Sequence, residues 1–271
     1  MPELPEVETV RRGIEAQLCG QRITGTIVRN GRLRWPVDPT LPTLLSGAKI
    51  CAVKRRAKYL LIETDRGQLM VHLGMSGRLY FVDTGTAVAK HDHLDWQLSN
   101  GMVLRYTDPR RFGSVHWLAG KDSHALLDNL GPEPLSEEVD GDYLYRRSRK
   151  RTAPIKSYVM DGRIVVGVGN IYANEALFRA GIRPTTAAGR ISKPRYTLLV
   201  AEIQSVLREA IAQGGTTLKD FVGGDGKPGY FKQELAVYGR GGLPCLRCNT
   251  PLKELRLAQR TTVFCSHCQR P

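Results

Sequence analysis

The chain has 271 residues, with 40 Lys and Arg against 26 Asp and Glu, a formal charge of +14, and six cysteines. That length holds one large domain or two to three smaller ones with a sizeable core, and the charge is the electrostatic footprint of a nucleic-acid binder or of a merely basic protein. No run of about 18 apolar residues occurs, and no basic stretch leads into an apolar one near the start, so we expect a soluble, unexported protein.

The chain begins almost inside a helix. In MPELPEVETVRRGIE and the residues that follow, Val7, Val10, Ile14 and Leu18 recur at the spacing of one helix face. Pro5 suits the first turn, where a missing N–H costs nothing, and Glu6 and Glu8 suit the positive end of the helix dipole. Removal of Met1 would leave a proline secondary amine beside the Glu3 carboxyl, a nucleophile beside a proton carrier. An α-amino group titrates near ~8, and a helix N-terminus favours its neutral form. Attack of such an amine on a sugar C1′ gives an iminium that cannot lose its charge by N-deprotonation, a strong electron sink, while Glu3 can protonate the ring oxygen. With Met1 retained the Pro2 nitrogen is an amide and this chemistry is closed. Read alone, such a stretch is more often an ordinary helix entry.

Gly20 ends this helix, and residues 22 to 118 read as short strands rich in Val, Ile, Leu and aromatics, punctuated by Asp-Arg-Gly and Asn-Gly. Their spacing predicts a β-sandwich or flattened barrel. In KRRAKYLLIE, a strand would put Lys54, Arg56 and Lys58 on one side as a cationic edge able to track phosphates. LGMSG presents Met75 at a loop tip, and DPRRFG presents Arg110, Arg111 and Phe112 beside a turn. Wedges of this kind fill the hole left by an extruded base, although each taken singly is more often packing. His91 and His93 of KHDH share one strand face without a third metal ligand, so a phosphate contact or the core suits them better.

Gly131-Pro132-Glu133-Pro134 interrupts any regular element, and we place a hinge at 125–134 between a domain of residues 1–124 and one of 135–232. Beyond it the pattern turns helical. YLYRRSRKRTAPIKSYVMD reads as a basic helical stretch around Pro154. NIYANEALFRAGIRP has Asn170 as N-cap and Gly181 as stop, and GVGNIY supplies an anion site at that helix start. RYTLLVAEIQSVLREAIAQGG carries Leu199, Ile203, Val206 and Ala210 on one face. The Gly-rich stretch 218–231 is too long for an idle connection and is expected to order on substrate. From residue 233 on, Cys245, Cys248, Cys265 and Cys268 form C-x2-C-x16-C-x2-C, the spacing of a tetrahedral zinc site, with KELRLAQRTTVFC as two short strands turning near Arg260. Cys19 and Cys51 read as small core residues.

PELPEVE, LGMSG, KHDH, YTDPRRFG, GVGNIY, AQRTT and the four-cysteine spacing, in this order, resemble the motifs of the formamidopyrimidine-DNA glycosylases, bacterial repair enzymes for oxidised purines, over essentially the whole chain. The sister endonuclease VIII family opens more like PEGPE, and Leu4 with the intact MSG and RRF motifs favours the purine-directed branch. The resemblance implies an α+β multidomain fold: an N-terminal two-sheet β-sandwich with a flanking helix, a helix-two-turns-helix domain, and a C-terminal β-hairpin zinc finger. It implies Pro2 as the Schiff-base nucleophile, Glu3 as the acid, Glu6 as support, and Lys58 and Arg260 as catalytic phosphate-holding cations. Met75, Arg110 and Phe112 would fill the void, and His91, Arg110, Arg151, Lys156 and Asn170 would contact DNA. The expected cofactor is one structural Zn2+ on four cysteines, which would leave no open position for hydrolysis. The implied partner is damaged double-stranded DNA, with no membrane and no small-molecule cofactor expected, for a monomer expected in the bacterial cytoplasm and on the nucleoid. An endonuclease VIII-like enzyme for oxidised pyrimidines and a non-catalytic zinc-ribbon DNA-binding protein are the competing readings.

Overall fold

The computed structural model describes residues 2–120, 124–214 and 235–271; the 218–231 segment expected to order on substrate lies outside the described residues. Two compact units emerge, one holding Met1–Asp128 and the other Asn129–Ala212 with Gln233–Pro271. Among the described residues no helix is long and apolar enough to cross a membrane.

The first unit opens with α1 (Leu4–Leu18), capped by Glu3, with Pro5 in its first turn. Val7, Val10, Ile14 and Leu18 are at most 1% exposed, so the face read from the spacing is the buried one. Cys19 closes the helix, and Gly20 follows in the left-handed region at φ 87°, where a side chain would be strained. Then come β1 (Ile23–Val28), a short helix α2 (Leu41–Leu45), β2 (Ile50–Arg56), β3 (Tyr59–Thr64), β4 (Gly67–His72), β5 (Arg78–Asp83), β6 (Asp92–Leu98), β7 (Met102–Thr107), β8 (Ser114–Ala119) and α3 (Ala125–Asp128). The strands form two antiparallel four-stranded sheets, ordered β1-β6-β7-β5 and β2-β3-β4-β8. Inward side chains of both, including Ile23, Val53, Leu60, Ile62, Leu79, Leu94, Trp96 and Val115, share one core with the apolar face of α1. The single turn of α2 buries Leu41 and Leu45 and is too short to show a period in the sequence.

The cationic edge expected in KRRAKYLLIE is corrected by the strand pairing. Lys54, Arg56 and Lys58 do not line one strand face, because the chain reverses at Ala57-Lys58 and Arg56 pairs with Tyr59. No Gly or Asn marks this turn; Ala57 itself takes the left-handed conformation, at φ 53°. In β6, Asp92 and Asp95 are buried against Arg105, whose Nε lies 2.9 Å from Asp95 Oδ1 and whose terminal nitrogen lies 3.3 Å from Asp92 Oδ2, with Arg29 2.6 Å from Asp95. Paired charge fills that side of the strand in place of water.

The second unit contains α4 (Gly141–Ser148), α5 (Ile155–Val159), α6 (Asn170–Arg179), α7 (Lys193–Ala212) and the ribbon of β9 (Lys253–Leu257) with β10 (Arg260–Phe264). The basic stretch is not one helix: it breaks between Ser148 and Ile155, with Lys150 at φ 62° and Pro154 capping α5. Ile171 to Phe178 of α6 are all buried, which marks α6 as the central helix of this unit. On α7, Leu199, Ile203, Val206 and Ala210 are buried as the period requires, joined by Tyr196, Val200 and Leu207.

Candidate active-site residues and the zinc module

At the start of α1, Pro2 is half-buried and Glu3 and Glu6 are 3% and 0% exposed. The Glu3 backbone N–H donates to Glu6 Oε2 at 2.8 Å, the return half of a capping box, so Glu6 fixes the backbone that carries Glu3. Glu8 does more than meet the dipole. Burial pushes its carboxyl upward, but hydrogen bonds from Arg12 and Arg11 and the charges of Arg11 and Arg55 outweigh this and hold it below the usual range. Arg55 Nε lies 3.1 Å from Glu8 Oε2, and a terminal nitrogen of the same guanidinium donates to the Ala57 carbonyl at 2.9 Å. Through Arg55 the turn bearing Lys58 is therefore tied to the helix that begins at Pro2-Glu3.

His72, at the end of β4, was not singled out in the sequence, where Met75 three residues later dominates the motif. Its Nδ1 accepts from the Gly74 N–H at 3.0 Å, and its ring packs 4.8 Å from that of Tyr59. Burial, then the positive charges of Lys58 and Arg34, drive its pKa down to about 4. Near neutral pH the imidazole is uncharged beside two cations, an arrangement that favours an arriving anion.

Met75 is half-buried in the loop after β4, while Arg110, Arg111 and Phe112 are exposed in the loop after β7. The Arg110 guanidinium lies 4.8 Å above the Phe112 ring, which is 44% exposed, so an aromatic and a cation are presented as one unit. The two histidines of KHDH divide. His91 is half-buried just ahead of β6, whereas His93 is 3% exposed with Nε2 at 2.8 Å from the Asp108 carbonyl. Among the described residues, the only grouping of three or more candidate metal ligands is that of the four cysteines.

In the second unit the cap of α6 is Gly169, and Asn170 is the first helical residue rather than the cap. At that helix start Asn170 Oδ1 is buried with no hydrogen-bond partner among the described residues. Arg151 is exposed. Lys156, expected at the DNA, is only 1% exposed, and its ammonium donates to the Thr261 carbonyl at 2.8 Å and to Thr262 Oγ1 at 2.7 Å. It grips the strand that begins at Arg260 and has no free head to offer a phosphate. Asn174 adds a second hold, its Oδ1 accepting from the Val263 N–H at 3.0 Å. Arg260 itself is exposed at the exit of a two-residue turn, with Ala258 and Gln259 at φ 45° and 60°.

The four cysteines have their sulfurs within 4.8 Å of one another, with Cys248 and Cys265 3.5 Å apart and Cys245 and Cys268 4.0 Å apart. A tetrahedral zinc with Zn–S of about 2.3 Å requires sulfurs roughly 3.8 Å apart, so the set fits a structural zinc. Backbone N–H groups of Arg247 and Cys268 point at Cys245 and Cys265 sulfurs at 3.4 and 3.3 Å, as thiolates require. Gln269, fully buried, accepts from the Cys265 N–H at 2.9 Å and donates to the Ile182 carbonyl at 2.8 Å. Glu175 of α6 receives three backbone N–H groups, from Ala236, Val237 and Tyr238, at 2.8 to 3.0 Å. Sequence reading passed over Glu175, Asn174 and Gln269, since one polar residue in an apolar helix or beside a cysteine carries no pattern.

Family models match the chain in three consecutive stretches: the formamidopyrimidine-DNA glycosylase N-terminal domain over residues 1–115, the formamidopyrimidine-DNA glycosylase H2TH domain over 130–222, and the zinc finger found in FPG and IleRS over 242–271. A formamidopyrimidine-DNA glycosylase of Stutzerimonas stutzeri is 60% identical over 270 residues, and one of Pseudomonas putida is 57% identical over 270, each covering 100% of both chains. Among solved structures, the Lactococcus lactis Fpg in complex with DNA containing an abasic site superposes with a TM-score of 0.92 at 34% identity, covering 100% of both chains. The MutM (Fpg) protein of Thermus thermophilus gives 0.88 at 37% identity, covering 99% of this chain and 98% of that one.

Proposed function

The chain belongs to the formamidopyrimidine-DNA glycosylase family, and on that premise we propose that it excises oxidised purines, 8-oxoguanine and formamidopyrimidines, from duplex DNA and then cleaves the strand through Pro2. The observation that carries the reading is the start of α1: Pro2 precedes a buried Glu3 whose backbone is fixed by Glu6, and Arg55 ties the same helix to the Lys58 turn.

Removal of Met1 frees the Pro2 nitrogen. Its lone pair forms a bond to C1′ of the damaged nucleotide as the C1′–base bond breaks, and Glu3 supplies the proton that opens the sugar ring at its oxygen. The resulting iminium carries a fixed positive charge and acidifies the C2′ proton. Loss of that proton expels the 3′ phosphate, and a further elimination expels the 5′ phosphate. Lys58, with neutral His72 beside it, holds phosphate in the first unit, and Arg260 does so from the zinc ribbon. His91, Arg110, Arg151 and the Asn170 helix start contribute further backbone contacts. Lys156 contributes by bracing the Arg260 ribbon. Met75, Arg110 and Phe112 occupy the space vacated by the extruded nucleotide, offsetting a few kcal/mol of lost stacking and pairing. Zinc supplies folding energy to the ribbon; the four cysteines that hold it take no part in bond breaking. The 125–134 segment is the proposed hinge, and the protein works in the bacterial cytoplasm on nucleoid DNA.

The test is incision of a duplex carrying 8-oxoguanine opposite cytosine, compared with one carrying thymine glycol. The expected result is preferential cutting of the first with phosphate at both new ends, abolished by Pro2→Gly. Tight binding with no incision by the processed wild-type chain would instead fit a non-catalytic zinc-ribbon protein.

A further inference from the structure

The two loops that carry Met75 and the Arg110/Phe112 pair make the same journey. Residues 73–77 cross from β4 in one sheet to β5 in the other, and residues 108–113 cross from β7 back to β8. Because β4 pairs with β8 and β5 with β7, with His72 opposite Ser114 and Arg78 opposite Thr107, the crossings start and finish as neighbours. They are also in backbone contact. A Cβ on Gly74, which sits at φ 60°, would fall 2.3 Å from the Gly113 nitrogen and 2.4 Å from the Phe112 carbonyl carbon. A Cβ on Gly113 would fall 1.8 Å from the Tyr106 hydroxyl and 2.5 Å from the His72 carbonyl oxygen. Only glycine at both positions allows this approach.

One carboxylate joins the two loops. Asp108 is 0% exposed; its Oδ1 accepts from Ser76 Oγ at 2.7 Å, and its Oδ2 accepts from the Gly113 N–H at 2.8 Å and from the Tyr106 hydroxyl at 3.3 Å. The Ser76 hydroxyl in turn accepts from the Arg110 N–H at 3.1 Å, so it donates to one loop residue and receives from another. The backbone of Asp108 reaches the third DNA-facing segment: its N–H donates to the His91 carbonyl at 3.0 Å, and its carbonyl lies 2.8 Å from His93 Nε2. Met75 is thus flanked by two residues of this latch, Gly74 and Ser76, while Phe112 adjoins Gly113 and Arg110 is held by its own N–H.

We propose that Ser76 and Asp108 are positioning residues for strand invasion, locking Met75 to Arg110 and Phe112 so that the three enter the duplex as one preformed plug. This rests on the void-filling assignment made above and adds to it the element that sets the spacing of the plug. Without the latch, each loop must be ordered separately at the moment of extrusion, and the loss falls on substrates from which a stacked nucleotide has to be displaced. Asp suits the anchor because a carboxylate only accepts, and three donors converge on it; the Asn amide would turn an N–H2 toward one of them.

The experiment measures kcat/KM on an 8-oxoguanine:cytosine duplex and the elimination rate on a single-stranded oligonucleotide with an abasic site, where nothing need be displaced. Ser76→Ala is expected to lower the duplex value about tenfold while changing the single-strand rate less than about twofold, the scale of effect that misplacement of a preorganised group produces. Ser76→Thr, which keeps the hydroxyl, is expected to restore the duplex value. In a Met75→Ala background, Ser76→Ala is expected to add much less than its full effect, since the plug is already broken. A damaging Met75→Ala with a silent or fully additive Ser76→Ala would overturn the latch, as would an equal fall on both substrates. A silent Met75→Ala would instead remove the void-filling assignment itself.

Discussion

The Lys58 turn and the Arg260 turn solve one problem in two settings. Each is a two-residue reversal with an alanine in the left-handed region, Ala57 at φ 53° and Ala258 at φ 45°, and each presents a cation, Lys58 within its turn and Arg260 just after its own. The Lys58 turn joins two strands of a four-stranded sheet whose Val53, Leu60 and Ile62 are at most 1% exposed, and Arg55 supplies the last tie. The Arg260 turn joins a two-stranded ribbon, an element that is marginal by itself in water. Its apolar support is a small cluster of Phe178, Val237, Leu252 and Val263 with the cysteines. Metal and buried polar clamps replace the missing core: Lys156, Asn174, Glu175 and Gln269. A turn set in a sandwich should therefore tolerate the loss of one tie, and a turn set on a ribbon should not.

Zinc removal gives the largest contrast. Chelation, or Cys268→Ser, should unfold the ribbon and abolish incision, because metal binding in small zinc modules contributes on the order of 10 kcal/mol. The three tryptophans, Trp35, Trp96 and Trp117, all belong to the first unit, so their emission should barely change while the β9–β10 ribbon loses amide protection. A coincident collapse of both signals would deny the two turns separate supports. Next comes Lys156→Met, which strips the Thr261 carbonyl and Thr262 hydroxyl of a buried donor and should cost about 1–3 kcal/mol. Hydrogen exchange should report it at residues 260–264 with the zinc retained; unchanged exchange there would mean the ribbon does not depend on this clamp.

In the first unit, Arg55→Ala should cost only about 1 kcal/mol by denaturant titration, since the sheet still holds the turn. Acid sharpens this. The Glu8 carboxyl is held below its ordinary value, so its contribution is complete above about 4.5 and fades as pH falls through the lowered value. The stability gap between wild type and Glu8→Gln should therefore close at low pH. His72 and His116 are both driven down to about 4, chiefly by burial. The unfolded chain takes up those protons near 6.5 and the folded chain does not, so stability should drop progressively from pH 6.5 toward 4. The smallest effect is a matched pair: Lys58→Gln and Arg260→Gln should each flatten the log–log salt dependence of DNA binding by about 0.9, one phosphate's worth. An unchanged slope for either would mean that its cation meets no phosphate.

What the sequence disclosed follows from how each feature is encoded. The α1 face, the α7 face and the cysteine spacing are periodic or paired, and they are found where the pattern puts them. The Lys58 turn escaped because an alanine occupies a left-handed position that glycine or asparagine usually announces, so two strands read as one. The Asn170 side chain suits a cap, which is what the sequence suggests, but Gly169 fills that place by backbone alone. Lys156 is placed at the DNA by the resemblance alone; no local pattern in the sequence shows that Thr261 and Thr262 take its ammonium. Asp108, Ser76 and Arg55 act through partners tens of residues away, and nothing local in the sequence could disclose such pairings.

The central claim is that the strand is cut through a covalent bond to the first residue of the processed chain. Borohydride present during reaction with an 8-oxoguanine duplex, followed by mass mapping of the trapped peptide, tests it most directly. The account predicts a reduced sugar adduct on the Pro2 nitrogen of a chain lacking Met1. An adduct on a lysine, or full incision by a chain that keeps Met1, would contradict it.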